Sequence, residues 1–240
     1  MDESSLPILL MTAMSIGFIH TVIGVDHALP FVALSRARGW KLPKTLGVTA
    51  LCGLGHVLSS VVLGSVGLGL GVAIERLEWI EGFRGELTAH LMIGFGLAYA
   101  AASTITVLRN RAHSHHHSHA DGTAHKHTHT HHHEHVHVHA HAKTSTESMT
   151  TWSLFILFVF GPCEALIPLL MAPAADHHWS WVGAVIVAFG ITTIATMLAM
   201  VTLGFVGLKQ LRFETLAPWS HTIAGLAIAT SGIAVQALGI

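Results

Sequence analysis

Apolar residues fall along this chain in long blocks rather than in short amphipathic stripes. Six blocks stand out, at about 6–34, 45–72, 87–108, 152–173, 180–207 and 216–239. Each is near or above the roughly 20 residues that carry a helix across a bilayer. The first is longer, which suits a tilted or broken helix. Gly24 and Pro30 lie inside it, and both residue types interrupt helices. The pattern predicts an all-α, polytopic membrane protein with six transmembrane helices.

Composition supports that class. The chain is 51% hydrophobic and 10% charged, where soluble domains carry about 25% charged residues. The formal net charge is −1 and no extended basic patch occurs, so no nucleic-acid partner is expected. Asp2 and Glu3 replace the basic start of a signal peptide, and the first apolar block is expected as a retained span. Cys52 and Cys163 both sit in apolar blocks, which argues against a secreted disulfide framework. No nucleophile–base pair or phosphate loop appears, so neither an enzyme nor a resident cofactor is expected.

The polar connections set a topology. Arg36, Arg38, Lys41 and Lys44 follow the first span, Arg109 and Arg111 the third, and Lys209 and Arg212 the fifth. The positive-inside rule puts these connections in the cytoplasm and both termini outside, in a multi-pass cell-membrane protein. Between spans two and three, Ile74, Leu77, Ile80 and Phe83 recur at helical spacing and predict a short interfacial helix. The third connection, 109–150, is low in complexity. Residues 113–141 hold 15 of the 22 histidines, among them His115, His116, His117, His119, His131, His132, His133, His135, His137 and His139. Such a tract cannot build a core and is expected to be disordered, with its imidazoles available to bind metal.

The halves 1–108 and 151–240 resemble each other. His90, Gly94 and Ala98 in span three match His221, Gly225 and Ala229 in span six at a constant offset of 131. Asp26-His27-Ala-Leu-Pro30 in span one matches Cys163-Glu164-Ala-Leu-Ile-Pro168 in span four. Spans two and five share Leu-Gly-x-Val-Gly-Leu, at Leu63–Leu68 and Leu203–Leu208. Three spans per half force opposite orientations, which predicts a 3+3 inverted repeat with spans one and four broken. Such folds bind substrate between the repeats near mid-membrane.

The chemistry concentrates there. Asp26 lies ten residues from Arg36, roughly 15 Å at helical rise, and His56 and Glu164 lie at similar depth from their own ends. Read this way, Asp26 and Glu164 are the only acids in the six spans, without a Lys or Arg beside them. Such acids must be protonated, wetted or bound to a cation. His20, His27, His56 and Cys163 complete the candidate metal set, since imidazole with carboxylate suits first-row divalent ions. Blander readings stay open: Asp26 as a helix cap, His56 as a packing hydrogen bonder, Cys163 as a small residue at a break. His90 and His221 sit nearer the membrane surfaces and read as structural. Thr192, Thr193 and Thr196 can bond back to their own helix.

These motifs resemble the nickel/cobalt transporter superfamily. His20…Asp26-His27 is similar to its His-x4–5-Asp-His signature, and Gly55-His56-Val57 to its second histidine motif. Gly161-Pro162-Cys163 and the histidine-rich connection look more like its efflux members, and urease-accessory membrane proteins share the span-one motif. The resemblance implies transport of nickel or cobalt along His20, Asp26, His27 and His56. The spacing from His20 to Asp26 is one residue longer than in the usual uptake signature, and six spans differ from the eight of uptake members.

The expectation is secondary transport of nickel or cobalt, with efflux slightly favoured. Alternatives are transport of zinc or another divalent metal, a membrane thiol-disulfide carrier, and an accessory protein that delivers metal. The expected partners are the lipid bilayer and the metal ion, and a homo-oligomer is compatible with the sequence.

Overall fold

Pro30 has no N–H to donate to the carbonyl of residue 26, and its ring collides with that carbonyl in a continuous helix. The first apolar block therefore cannot run straight through. In the computed structural model it divides into α1 (Ser5–Ile23), a 3-10 turn (Val25–His27) and α2 (Leu29–Arg38), with Pro30 in the first turn of α2. α2 stops at Gly39, whose φ of 63° is the left-handed conformation that closes a helix. There follow α3 (Leu42–Gly69) and α4 (Ile74–Arg109). Two short strands come next, β1 (His113–Ser118) and β2 (Ala124–His129). The chain continues with α5 (His141–Phe160), α6 (Leu166–Ala175), α7 (Trp179–Gln210), a 3-10 segment (Glu214–Trp219) and α8 (Ser220–Leu238). The structure describes residues 5–109, 113–118, 124–129, 141–161, 163, 165–210 and 214–238.

Among the described residues, five stretches are long and apolar enough to cross a membrane: α1, α3, α4, α7, and α8 with the turn before it. Their surfaces carry exposed Ile8, Leu51, Ile191 and Leu203, a burial pattern opposite to that of a soluble protein. The fold is compatible with a multi-pass membrane protein. The fourth block differs from a single span. It is two short apolar helices, Thr151–Phe160 and Leu166–Ala175, separated at 161–165. The connection before α4 also differs from expectation. Residues 74–86 form no separate interfacial helix but the first turns of α4. Leu77, Glu81, Gly85, Thr88, Met92, Gly96 and Ala100 make one buried stripe at three- and four-residue steps, so a single face packs along the whole helix.

In the histidine-rich connection, His113–Ser118 pairs antiparallel with Ala124–His129. A lone two-stranded ribbon is marginal in water, so the rest of the fold does not depend on it.

The helices meet through small residues. α4 and α8 lie antiparallel with touching backbones: a Cβ at Gly96 would stand 2.6 Å from the carbonyl oxygen of Gly225, and one at Gly225 2.7 Å from that of Gly96. Without water to exclude, such close packing is what holds membrane helices together. Tyr99 bonds His221 at one end of this pair (2.7 Å), and His90 meets Gln236 at the other (3.4 Å). Gly17 of α1 faces Phe189 and Thr193 of α7, Gly53 of α3 faces Met197 of α7, and Gly55 faces Phe155 and Val159 of α5. The core has two main clusters, one around Leu166, Leu170 and Phe189, the other around Phe31, Phe158 and Met197.

Candidate metal centre

The break after α1 builds the site. The N–H of Gly24 donates to the carbonyl of His20 (3.0 Å), and the N–H of His27 donates to that of Gly24 (3.1 Å). This tight turn folds the His27 ring back over Gly24. A Cβ on residue 24 would overlap that ring, so only glycine fits. His20 comes from the last turn of α1, His27 from the 3-10 turn, and His56 from the middle of α3.

One ligand atom from each of the three rings lies within 4.8 Å of the others. Ring centroids are 5.0 Å apart for His20–His27, 5.2 Å for His27–His56 and 6.1 Å for His20–His56. His27 and His56 are 2% exposed. The Nε2 atoms of all three are buried and have no hydrogen-bond partner. Buried polar atoms are normally paired, and leaving one unpaired costs about 1–3 kcal/mol. Three such nitrogens together need a common explanation. Beside His20 and His27 lies a cavity of about 20 Å3, which Gly24, Asp26, Thr88 and Met92 also line. That is room for one water-sized body.

Asp26 stands behind His27. Its Oδ1 is 3.1 Å from His27 Nδ1, which is also 3.2 Å from the carbonyl oxygen of Gly24. Two acceptors around Nδ1 place its proton there, so Nε2 presents a lone pair. This is the carboxylate–histidine arrangement that orients metal ligands and raises their basicity. The Asp26 side chain is 20% exposed and lies outside the three-imidazole group.

A second buried assembly braces the break between α5 and α6. Glu81 of α4 is fully buried and ion-paired to Arg84. Arg84 donates to the carbonyls of Val159 (2.9 Å) and Gly161 (3.4 Å) and to Ser59 Oγ (2.9 Å). The N–H of Cys163 donates to Glu81 Oε2 and Ser60 Oγ, both at 3.2 Å. Carbonyls on one side of the break and an N–H on the other would be orphaned by the missing helical turn. One ion pair satisfies both. The brace adjoins the imidazoles: Ser59 and Ser60 follow His56 on α3, and a Cβ on Gly161 would stand 3.2 Å from His56 Nδ1.

No family model, curated protein or solved structure matches this chain. The site's own geometry therefore carries the argument. Among the described residues, His20, His27 and His56 are the one group of three or more His, Cys, Asp or Glu side chains close enough to share an ion. A tetrahedral ion with metal–nitrogen bonds of about 2.0–2.1 Å needs nitrogens about 3.4 Å apart. The rings would draw inward on loading.

The structure treats the remaining candidates unevenly. Cys163 does not join the imidazoles; it is buried in the apolar cluster around Leu166 and Leu170. Glu164 lies outside the described residues, as do His119, His131, His132, His133, His135, His137 and His139. His115, His116 and His117 are described only as backbone of β1. His90 Nδ1–H donates to the carbonyl of Glu86 (2.7 Å), and with His221 it ties α4 to α8. Thr192 and Thr196 bond back to the carbonyls of Ala188 and Thr192.

Sequence reading missed Glu81, Arg84 and Thr88. The first two corrected a premise: a buried carboxylate and a partly buried guanidinium do lie beside the candidate site, on a helix taken for a surface connection. Glu81 and Arg84 at i, i+3 were the available signal. Thr88 is 5% exposed with its hydroxyl unpaired; nothing in the sequence set it apart from other helical threonines.

Proposed function

We propose that the chain transports a divalent transition-metal ion, nickel or cobalt, across a membrane through the three-imidazole site. The observation that carries this reading is the set of three unpaired, buried Nε2 atoms at a helix break, inside a bundle with apolar outer surfaces. Neutral imidazole is a good donor for nickel, cobalt and zinc. A purely structural histidine cluster would spend those lone pairs on hydrogen bonds.

The reading extends to topology. α5 and α6 together form the fourth of six spans, both termini face outward, and the histidine-rich connection lies in the cytoplasm. Helix partnering supports an inverted repeat: α1 packs on α7 as α5 packs on α3, and α2 packs on α8 as α6 packs on α4. The two broken spans are then equivalent, and the ion binds beside the first of them. A cytoplasmic histidine tract would collect the ion before it crosses, which favours efflux.

The test is flux. Protein reconstituted in liposomes should move nickel or cobalt down a gradient, and His20→Ala or His56→Ala should abolish that movement. Equal flux in wild type, variants and protein-free liposomes would overturn the proposal. Binding without flux would reassign the chain as a metal-delivery protein.

A further inference from the structure

The end of the bundle where α2 and α7 finish carries two adjoining cavities unrelated to the imidazoles. One, of about 260 Å3, is lined by Arg36, Trp40, Phe205 and Lys209. The other, of about 520 Å3, is apolar and open at the side, between Leu29, Ala33, Leu216 and Ile223. Val32, Arg36 and Leu208 line both, so the two are continuous at Arg36.

The smaller cavity is built for an anion. Among the described residues no carboxylate lines either cavity. Lys209 lies over the Phe205 ring, its nitrogen 4.9 Å from the centroid, which holds the ammonium near the cavity mouth. Trp40 is 5% exposed, yet its indole N–H is buried without a hydrogen-bond partner. Guanidinium binds phosphate through two parallel hydrogen bonds, ammonium adds a point charge, and an indole can only donate. The larger cavity has the opposite chemistry and runs along the outer face of α2 and α8.

We infer that these cavities form a binding site for one anionic phospholipid, phosphodiester against Arg36, Lys209 and Trp40, acyl chain in the groove between α2 and α8. The continuity of the apolar groove with the basic pocket selects a lipid over free phosphate. Among the described residues the lining carries Arg36 and Lys209 and no carboxylate, which favours an anionic headgroup over a zwitterionic one, whose ammonium would have no counter-charge. Tryptophan at this level matches the interfacial position that indoles favour. The inference rests on the reading of the chain as bilayer-embedded and is independent of the metal site.

The test is native mass spectrometry of the detergent-purified full chain, titrated with phosphatidylglycerol or phosphatidylcholine of matched acyl chains. One phosphatidylglycerol should be retained in preference to phosphatidylcholine. Arg36→Gln and Lys209→Gln should each weaken retention about fivefold, and Trp40→Phe should weaken it without changing the charge. Helix content and thermal unfolding of the same variants, followed by circular dichroism, should match wild type, which reports that they are folded. Equal retention of the two lipids, or unchanged retention in the Arg36→Gln/Lys209→Gln double variant, would overturn the site. Displacement by millimolar inorganic phosphate would overturn the lipid assignment in favour of a soluble anion. Protein that stays monodisperse without detergent would instead overturn the bilayer reading itself.

Discussion

Oδ1 of Asp26 lies 3.1 Å from Nδ1 of His27, on the side of the ring away from the unpaired Nε2. The carboxylate fixes which nitrogen carries the proton. Losing such a partner typically costs 10–100-fold in metal affinity. Asp26→Ala is therefore expected to weaken nickel binding by about that factor, with Asp26→Asn milder because its amide oxygen still accepts from Nδ1. Titration calorimetry on purified protein reads both. Equal affinity in wild type and Asp26→Ala would remove the carboxylate from the site.

Gly24 tests the turn itself. A methyl group there overlaps the His27 ring, and the ring must swing away from His20 and His56. Gly24→Ala should bind metal no better than His27→Ala while keeping wild-type helix content by circular dichroism. Gly24→Ala with unimpaired binding would show that the ring position is not required.

The brace predicts a stability pattern. Removing one partner of a buried ion pair costs about 3–5 kcal/mol, so Glu81→Gln and Arg84→Met should each lower the thermal unfolding midpoint sharply. An ordinary buried pair can often be replaced on both sides at little cost. Here the double variant Glu81→Met/Arg84→Met should remain destabilised, because Val159, Gly161 and Cys163 lose partners as well. Full recovery in the double variant would mean that the backbone contacts contribute nothing.

Two glycines two residues apart separate packing from propensity. Gly96 touches the α8 backbone, whereas a Cβ at Gly94 meets nothing within 4 Å. Gly96→Ala should destabilise by roughly 1–3 kcal/mol, the range for overpacking. Gly94→Ala should be neutral or stabilising by up to about 1 kcal/mol, the helix propensity of alanine over glycine. Equilibrium unfolding of the two variants in the same detergent compares them directly.

The sequence exposed the helical membrane-type fold and the first break, because length, hydropathy and Pro30 each have a local cause. It also picked out His20, His27 and His56, since three imidazoles in apolar blocks have few uses. Glu81 and Arg84 escaped because charge near a block boundary reads as surface. Only the packing of α4 on its neighbours shows that Leu77, Glu81, Gly85 and Thr88 are interior. Cys163 misled for the opposite reason. Its neighbours marked a break, but the direction of a side chain at a break follows from hydrogen bonds made by residues about 80 positions away. Thr88 depended on an absence, a hydroxyl that forgoes its usual bond to the preceding turn, and sequence does not record absences.

The strapping of Val159, Gly161 and Cys163 to α4 has a mechanical consequence. A missing helical turn ordinarily makes a joint that bends. This one is riveted on both sides by side chains from a single rigid rod, so a tilt of α4 carries the end of α5 and the start of α6 with it. Load applied at Glu81 and Arg84 reaches Gly161, and through it the His56 ring, without being absorbed at the joint. The gap between α5 and α6 acts as a coupling rather than a hinge.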